Sequence, residues 1–290
     1  MLAAFACGAV VIMPARSLLA STERSAALPR EMAERCSLHP LRLAEMVAPQ
    51  SMGEPYGEYP AAPVIGEAKL DGLPLSYSVY LGASVVALAL SAFGRGRRVA
   101  LMLGLLLLAA LVLAFGRYTP VFGIVRRIVF PLAYMRYPEK LMALVVAVAA
   151  LLAGLGTDRV LSPGPQPWRR TLALLAFIAA LGVAAYLALP TLWMVFAVRG
   201  ALLGAVAALA VLAIQVLAAR GSRAAIPLLL AVVAFDLARA AWPLQGFGTR
   251  RVVERPPPAA RLALQRHADP VAPPRIYRSH QVTQAVNRWV

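Results

Sequence analysis

The stretch that decides the fold is 171–189, which reads TLALLAFIAALGVAAYLAL and contains no charged residue. A helix needs about 20 mostly apolar residues to cross roughly 30 Å of hydrocarbon, so this stretch is long enough to span a bilayer. Its apolar residues fall on every side of a helix, and a chain of this size cannot bury all of those faces in a soluble fold. The stretch therefore predicts a membrane helix.

Segments of the same character lie on both sides of it, at 77–93, 99–115, 141–156, 200–219 and 224–242. Residues 1–13 are apolar but short, and they are interpreted as the second half of a transmembrane helix whose first half precedes Met1. A short re-entrant or interfacial helix and a signal sequence are the alternatives for this segment. The sequence thus predicts an all-α, polytopic transmembrane bundle of about six to seven spans.

The composition supports the same class. Hydrophobic residues make up 60% of the 290 residues and charged residues 14%, against about 25% charged in soluble proteins. The net charge of +16 comes almost entirely from Arg, since only Lys69 and Lys140 are lysines. These basic residues lie between apolar runs, where bilayer anchoring places them, so nucleic acid is not an expected partner.

The short loops set the predicted orientation. Loops 94–98, 157–170 and 220–223 are rich in Arg, and the positive-inside rule therefore places them in the cytoplasm. Residues 14–76 then form an extracytoplasmic loop, 77–242 the transmembrane bundle, and 243–290 an extracytoplasmic tail. The connections 116–140 and 190–199 also lie outside. The tail is Pro-rich and is either a disordered extension or the start of a missing outer domain.

The second outer connection contains an amphipathic pattern near 119–130. Thr119 and Pro120 suit the N-cap and first position of a helix. Apolar residues at helical spacing follow on one face, opposite Arg126 and Arg127. We expect a helix in the membrane interface, with both arginines contacting anionic lipid headgroups.

Charged residues just before the next predicted span form the first candidate site. Arg136, Glu139 and Lys140 lie where a lipid phosphate carries its charge, and Arg117 is a further candidate contact. Arg can bind phosphate with two parallel hydrogen bonds, while Lys acts as a point charge. The alternative is a pair of snorkelling basic side chains with Glu139 as their counter-ion. Pro138 is expected to bias Tyr137 toward an extended conformation.

An acidic residue inside the last span is the second candidate. Asp236 is costly at that depth unless it is paired, and Arg239 follows at i+3 on the same helical face. We therefore expect a structural intramembrane pair of Asp236 and Arg239. His39 and Glu45 are six residues apart, a poor spacing for a shared helical face, so a general-base role for either is the weaker interpretation.

The sequence offers no pattern for a metal or cofactor. Its three histidines are scattered, and Cys7 and Cys36 lie in segments of different polarity, so neither a metal site nor a disulfide is expected. A Gly-rich phosphate loop and a Ser-His-Asp set are also absent from the sequence. No cofactor is predicted.

Several motifs together resemble the YfhO-like family of bacterial membrane proteins. The most specific is FGRYTPVFGIVRRIVFPLAYMRYPEKL at 115–141, followed by LAGLG at 152–156. AFDLARAAWPLQ at 234–245 and RIYR at 275–278 are weaker matches. The resemblance extends over nearly the whole chain.

The resemblance implies a fold and activity similar to GT-C glycosyltransferases. Such enzymes take a sugar from a polyprenyl-phosphate carrier and transfer it to a cell-envelope glycopolymer outside the bacterial cytoplasmic membrane. Their catalytic acid typically lies in an early outer loop, which here is expected upstream of Met1. The chain is accordingly interpreted as an internal fragment of a longer enzyme, inactive by itself. A transporter or flippase and a non-catalytic membrane scaffold are the alternatives.

Overall fold

A computed structural model describes residues 29–54, 59–65, 76, 78–94, 98–129, 132, 135–162 and 164–244, all within one compact unit. Every regular element in these ranges is a helix, which confirms the all-α class. The helix predicted at 1–13 lies outside the described residues, as does the tail predicted at 243–290 except for its first two residues.

The described ranges contain nine α-helices and four 3-10 helices. The α-helices are α1 (Arg30–Ala33), α2 (Ala62–Ile65), α3 (Ala83–Ala92), α4 (Arg98–Ala114), α5 (Pro120–Ile128), α6 (Met142–Leu161), α7 (Trp168–Ala188), α8 (Thr191–Ala219) and α9 (Ala225–Ala241). The 3-10 helices are Pro40–Met46, Gly116–Tyr118, Pro138–Leu141 and Trp242–Leu244.

Three helical segments are long and apolar enough to cross a membrane. They are Pro138–Leu161, Trp168–Ala188 and Thr191–Ala219, with 24, 21 and 29 residues. Large apolar side chains are exposed along the bundle, among them Leu105, Leu151, Phe177 and Leu187. The structure thus supports a membrane protein and gives three helices of spanning length among the described residues.

The span predicted at 77–93 is not a continuous helix. α3 begins only at Ala83, after an extended segment that ends at Gly82 with φ +98°. A side chain at Gly82 would also lie 3.0 Å from Leu237. Ten helical residues rise only about 15 Å, half the thickness of the hydrocarbon, so this prediction was wrong about the length.

Charged side chains from distant helices meet both ends of α3. The carboxylate of Asp236 accepts hydrogen bonds from the backbone and hydroxyl of Ser84, at 3.1 and 2.6 Å. At the other end, Arg159 and Arg170 both donate to the Phe93 carbonyl. An anion at the N-terminus and cations at the C-terminus complement the helix dipole and satisfy the unpaired end groups.

α3 lies at the centre of the bundle, where it packs against α6, α7, α8 and α9. Its closest approach is to α6. A Cβ on Gly156 would meet the backbone of Leu88 and would lie 3.2 Å from the Ala92 nitrogen. Gly154, two residues earlier, faces open space. Gly156 is therefore required for α3 and α6 to pack at this distance.

Polar side chains also join the helices in the interior of the bundle. Gln215 donates to Thr171 Oγ1 at 2.9 Å and to Ser91 Oγ at 3.4 Å, and all three residues are fully buried. They connect α8, α7 and α3. Buried polar groups of this kind need partners because neither lipid nor an apolar core can satisfy them.

α8 is longer than predicted. The sequence places an outer turn at 190–199, but the helix runs without interruption from Thr191, directly after Pro190 at its N-cap. Proline suits a helix start because it has no N–H to leave unpaired. The predicted turn was wrong, and Arg199 and Gly200 belong to the helix.

The first loop packs directly onto α8. Cβ atoms at Gly200 and Gly204 would collide with the loop backbone, at the Pro49 and Val47 carbonyl oxygens respectively. Trp193 donates from Nε1 to the Ser51 carbonyl at 3.1 Å. Two glycines one helical turn apart thus let an irregular loop lie against a membrane helix, where its backbone groups are satisfied by protein.

The helix predicted near 119–130 is present as α5, and its position in the membrane interface stays a prediction. Thr119 takes the N-cap position, although its hydroxyl bonds to the Val112 carbonyl rather than to the helix. Phe122 is fully buried and anchors α5 to the bundle, while Ile124 and Ile128 are exposed. Exposed apolar residues on one face of a short helix suit contact with lipid at the membrane surface.

Candidate functional site

A buried charge cluster lies where the first loop meets the start of α6. Arg42, on the 3-10 helix Pro40–Met46, is 1% exposed and contacts two carboxylates. Its Nε donates to Glu45 Oε2 at 3.0 Å, and its Nη1 pairs with Glu139 Oε1. Its Nη2 donates to the Ser76 carbonyl at 2.8 Å. Arg42 therefore joins three segments of the chain.

Burial and the ion pairs shift the pKa values of groups in the cluster. Burial raises the pKa of Glu45 even though Arg42 opposes the shift. Burial also acts to lower the pKa of Arg42, but Glu45 and Glu139 outweigh it and raise the pKa overall. Burial similarly raises the pKa of nearby Tyr59 to about 12. Arg42 therefore binds both carboxylates in a site that is almost fully buried.

Glu139 is ion-paired with Arg42, a partner that the sequence did not predict. Its backbone N–H donates to the Cys36 carbonyl at 3.2 Å, which turns this part of the chain toward the first loop and Arg42. Arg42 was missed because it is 97 residues away in sequence. The only local signal was the i, i+3 spacing of Arg42 and Glu45, which are ion-paired.

Arg136 and Lys140 are brought together over one aromatic ring. Their charged groups lie 5.2 Å from the centroid of Tyr137, within cation–π range. Arg136 is half-buried, and its buried Nε has no hydrogen-bond partner among the residues that the structure describes. Lys140 is exposed. The two predicted residues therefore share one aromatic neighbour where the helical segment Pro138–Leu161 begins.

Tyr137 itself departs from the prediction. It adopts φ +66° rather than an extended conformation, an uncommon state for a bulky residue. Two backbone bonds hold it: Tyr137 N donates to the Ala33 carbonyl at 3.1 Å, and Lys140 N donates to the Tyr137 carbonyl at 3.0 Å. These tertiary contacts override the preference that Pro138 imposes on the preceding residue.

A groove of about 470 Å³ adjoins Lys140. Its polar part is lined by Ser76, Ser78, Tyr80, Glu139 and Lys140. Its apolar part is lined by Val79, Met142, Ala143 and Val146. Ala143 and Val146 are exposed, so the groove leads from a charged end to the lipid-facing surface of α6.

Arg117 is exposed and stacks on a different ring, that of Tyr118, at 5.0 Å. His39 meets the same ring edge-on, with centroids 4.8 Å apart. The His39 Nδ1 accepts from Leu41 N at 3.2 Å and so caps the 3-10 helix. Burial, with Arg117 and Arg42 nearby, lowers the pKa of His39. His39 is a neutral cap and does not join Glu45.

Asp236 has other partners than the one predicted. Tyr80 donates to Asp236 Oδ1 at 2.6 Å, and Ser84 donates twice to Oδ2. Arg239 is not among these donors, so the expected Asp236–Arg239 ion pair is replaced by hydrogen bonds to α3 and the segment before it. The reason is geometric: Asp236 faces the buried N-terminus of α3, where a backbone N–H and two hydroxyl groups lie within hydrogen-bonding distance.

No group of three or more potential metal ligands occurs within the ranges that the structure describes. Cys36 is buried there, and Cys7 lies outside these ranges. The site is therefore built from basic side chains, carboxylates and hydroxyl groups. The chain matches no protein family, no curated protein and no solved structure.

Proposed function

We propose that this chain is part of a membrane-embedded glycosyltransferase, similar to GT-C enzymes, that takes a sugar from a polyprenyl-phosphate carrier. The sugar would be transferred to a cell-envelope glycopolymer at the outer face of the bacterial cytoplasmic membrane, with six to seven spans in the complete bundle. The observation that carries the proposal is the pair of Arg136 and Lys140 over Tyr137, where a spanning helix begins.

The chemistry of this pair suits a lipid phosphate. Arg136 offers a planar guanidinium over the ring of Tyr137, and Lys140 adds an exposed positive charge on the same ring. Arg recognises phosphate through two parallel bonds, and Lys strengthens the local positive potential. Both groups lie at one end of a spanning helix, which is the depth of a phosphate headgroup.

The surroundings favour a ligand with an apolar chain. The adjoining groove leads from Lys140 to exposed apolar residues of α6. α5 presents Arg127 and an exposed apolar face, which suits a helix lying in the interface. A polyprenyl phosphate combines one anionic group with a long hydrocarbon, and it matches both features.

A transporter or flippase is the second candidate, and α3 is the observation that favours it. Secondary transporters form substrate sites at half-length helices whose N-termini lie within the membrane. α3 has ten residues and an N-terminus inside the bundle. Here, however, that N-terminus is already capped by Asp236, so fewer of its donors are left for a substrate. The glycosyltransferase therefore remains the first proposal.

The proposal is tested by lipid binding to the purified chain in neutral-lipid nanodiscs, using decaprenyl phosphate as the probe. Arg136→Lys keeps the charge but loses the two-bond geometry, and a loss of about 1 to 3 kcal/mol corresponds to roughly five- to 150-fold weaker binding. Arg127→Lys on exposed α5 is the matched control and should bind like wild type. Equal binding by wild type and Arg136→Lys would contradict the proposal.

The activity is tested separately in the longer protein. Transfer of sugar from the loaded lipid should fall with Arg136→Lys in proportion to binding. Movement of the loaded lipid between leaflets without any transfer would instead support the flippase.

A further inference from the structure

We infer that Arg42 is a positioning residue of the lipid-phosphate site: through Glu139 it holds the turn at Tyr137 that places Arg136 and Lys140 over one ring. This inference rests on the proposed function, because it needs a lipid phosphate bound at Arg136 and Lys140. It assigns a role to a buried arginine that phosphate binding itself does not use.

The turn at Tyr137 determines how the two cations are arranged. Arg136 precedes Tyr137 and Lys140 follows it, and each charged group lies 5.2 Å from the centroid of the ring. Tyr137 has φ +66°, a state that a bulky residue keeps only where surrounding contacts hold it. Relaxation to the extended conformation that Pro138 favours would change the chain direction between the two cations. They would then no longer share one ring.

Three contacts with the first loop hold this turn. Tyr137 N donates to the Ala33 carbonyl at 3.1 Å, and Glu139 N donates to the Cys36 carbonyl at 3.2 Å. The third contact is the ion pair between Arg42 and Glu139. The first two contacts join backbone groups, which a side-chain substitution leaves in place. The ion pair is therefore the contact that substitution can test.

The contacts of Arg42 suit a fixing role rather than ligand binding. Arg42 is 1% exposed, and its guanidinium is anchored by hydrogen bonds to Glu45 and to the Ser76 carbonyl as well as to Glu139. A planar guanidinium holds its partners in fixed directions, whereas a lysine ammonium is a point charge on a flexible stem. Arg42 thus gives the first loop a rigid link to the residue directly before Lys140.

The substitution Arg42→Lys separates positioning from charge. It keeps a positive charge beside both carboxylates, so the attraction for an approaching phosphate is kept, but it loses the fixed geometry. Binding of decaprenyl phosphate in neutral-lipid nanodiscs should weaken about fivefold or more, a typical size for coupling between contacting residues. Should Arg42→Lys fail to fold, Glu139→Gln is expected to weaken binding as well, although it removes a negative charge that would repel phosphate.

A second background distinguishes positioning from a general loss of structure. In Lys140→Met, Arg136 is the remaining cation on the Tyr137 ring, so there is no longer a pair to align. Arg42→Lys should therefore weaken binding about fivefold or more in the wild-type background and less than about twofold in Lys140→Met. A merely structural role lowers the affinity by the same factor in both backgrounds, and that result would overturn the inference.

Two further variants serve as controls. Arg170→Lys makes the same chemical change at the C-terminus of α3, where Arg170 donates to the Phe93 carbonyl, and it should leave lipid binding unchanged. Glu45→Gln alters the other carboxylate on Arg42 and should bind no more weakly than wild type. Unchanged binding by Arg42→Lys, or an equal loss in either control, would contradict the inference.

Failure of the proposed function gives a different result. In that case wild type does not bind decaprenyl phosphate, or Lys140→Met leaves its binding unchanged.

Discussion

Replacement of Gly156 by Ala tests the contact at the centre of the bundle. The carbonyl carbon of Leu88 would lie 2.6 Å from the new Cβ, whereas ordinary contact begins at 3.4 Å, so α3 and α6 must separate by about 0.8 Å for this pair alone. The atoms that the new Cβ would meet all belong to the backbone of α3, so no flexible side chain can move aside. Overpacking of this kind costs about 1 to 3 kcal/mol.

Gly154→Ala is the matched control on the same helix. Both substitutions gain about 1 kcal/mol of helix propensity, but a Cβ at Gly154 meets nothing within 4 Å. The propensity terms cancel in the comparison, so the difference of about 1 to 3 kcal/mol between the two variants isolates the contact with Leu88. At about 2 to 4 °C per kcal/mol, Gly156→Ala should unfold roughly 2 to 12 °C below Gly154→Ala.

The measurement is apparent Tm in detergent at a fixed heating rate. A thiol-reactive fluorogenic dye, used in a Cys7→Ser background, reports exposure of the buried Cys36 thiol. A fixed rate matters because membrane proteins of this size often unfold irreversibly. Equal melting of the two variants, or a higher melting temperature for Gly156→Ala, would refute the packing of α3 against α6.

Three further predictions use the same melting assay. Asp236→Asn should lower the free energy of unfolding by about 1 to 3 kcal/mol, because its donors on and before α3 lose a charged acceptor. Arg239→Gln should have little effect. Equal losses in the two variants would instead support the ion pair expected from the sequence. Gln215→Leu should lower the free energy of unfolding by about 0.6 to 1.7 kcal/mol because the buried Thr171 hydroxyl loses its bonds to Gln215, whereas Ser91 keeps its bond to the Ala87 carbonyl. Adding Thr171→Val should recover part of that loss; no recovery would argue against the hydrogen bond between them. The pKa of His39 is lowered from 6.5 by burial and two nearby arginines, so its contribution to stability is present above pH 6.5 and is lost as the pH falls through the folded-state pKa. The apparent Tm should therefore fall more between about pH 7.5 and 5 in wild type than in His39→Asn, which keeps a capping acceptor; parallel curves would exclude a role for this group.

The apolar helices were the part of the fold that could be predicted from sequence. Whether a segment can enter a bilayer depends on its own length and composition, and for this reason the predicted 99–115, 171–189 and 224–242 agree with α4, α7 and α9 within a few residues. The amphipathic pattern of α5 is equally local. These properties are carried by neighbouring residues and need no knowledge of the tertiary structure.

The ends of α3 and α8 were not predictable in the same way. The apolar run at 77–93 gives no sign that its helix begins at Ala83, because Asp236 and the backbone of Gly82 determine that point. Arg199 and Gly200 are typical of a loop, yet Gly200 is small because the first loop packs against it. In both cases the decisive partner lies far away in the sequence.

The candidate site was also predictable only in part. Arg136 and Lys140 were found because only three residues separate them, and such a short segment keeps them near each other. The partner of Glu139 could not be found, because Arg42 lies in another loop and its charge is no different from that of many other arginines. The ion pair between Glu139 and Arg42 was therefore found only in the structure.

The two capped ends of α3 have a consequence for how the protein is made. Asp236 is 152 residues beyond Ser84, and at about 5 to 20 residues per second the ribosome needs roughly 8 to 30 s to synthesise that interval. During this time a ten-residue helix, too short to cross the bilayer, has exposed end groups and no acid to cap them. The N-terminal cap of α3 therefore forms only after the last helix has been synthesised, so the final helix completes a central element that was made long before it.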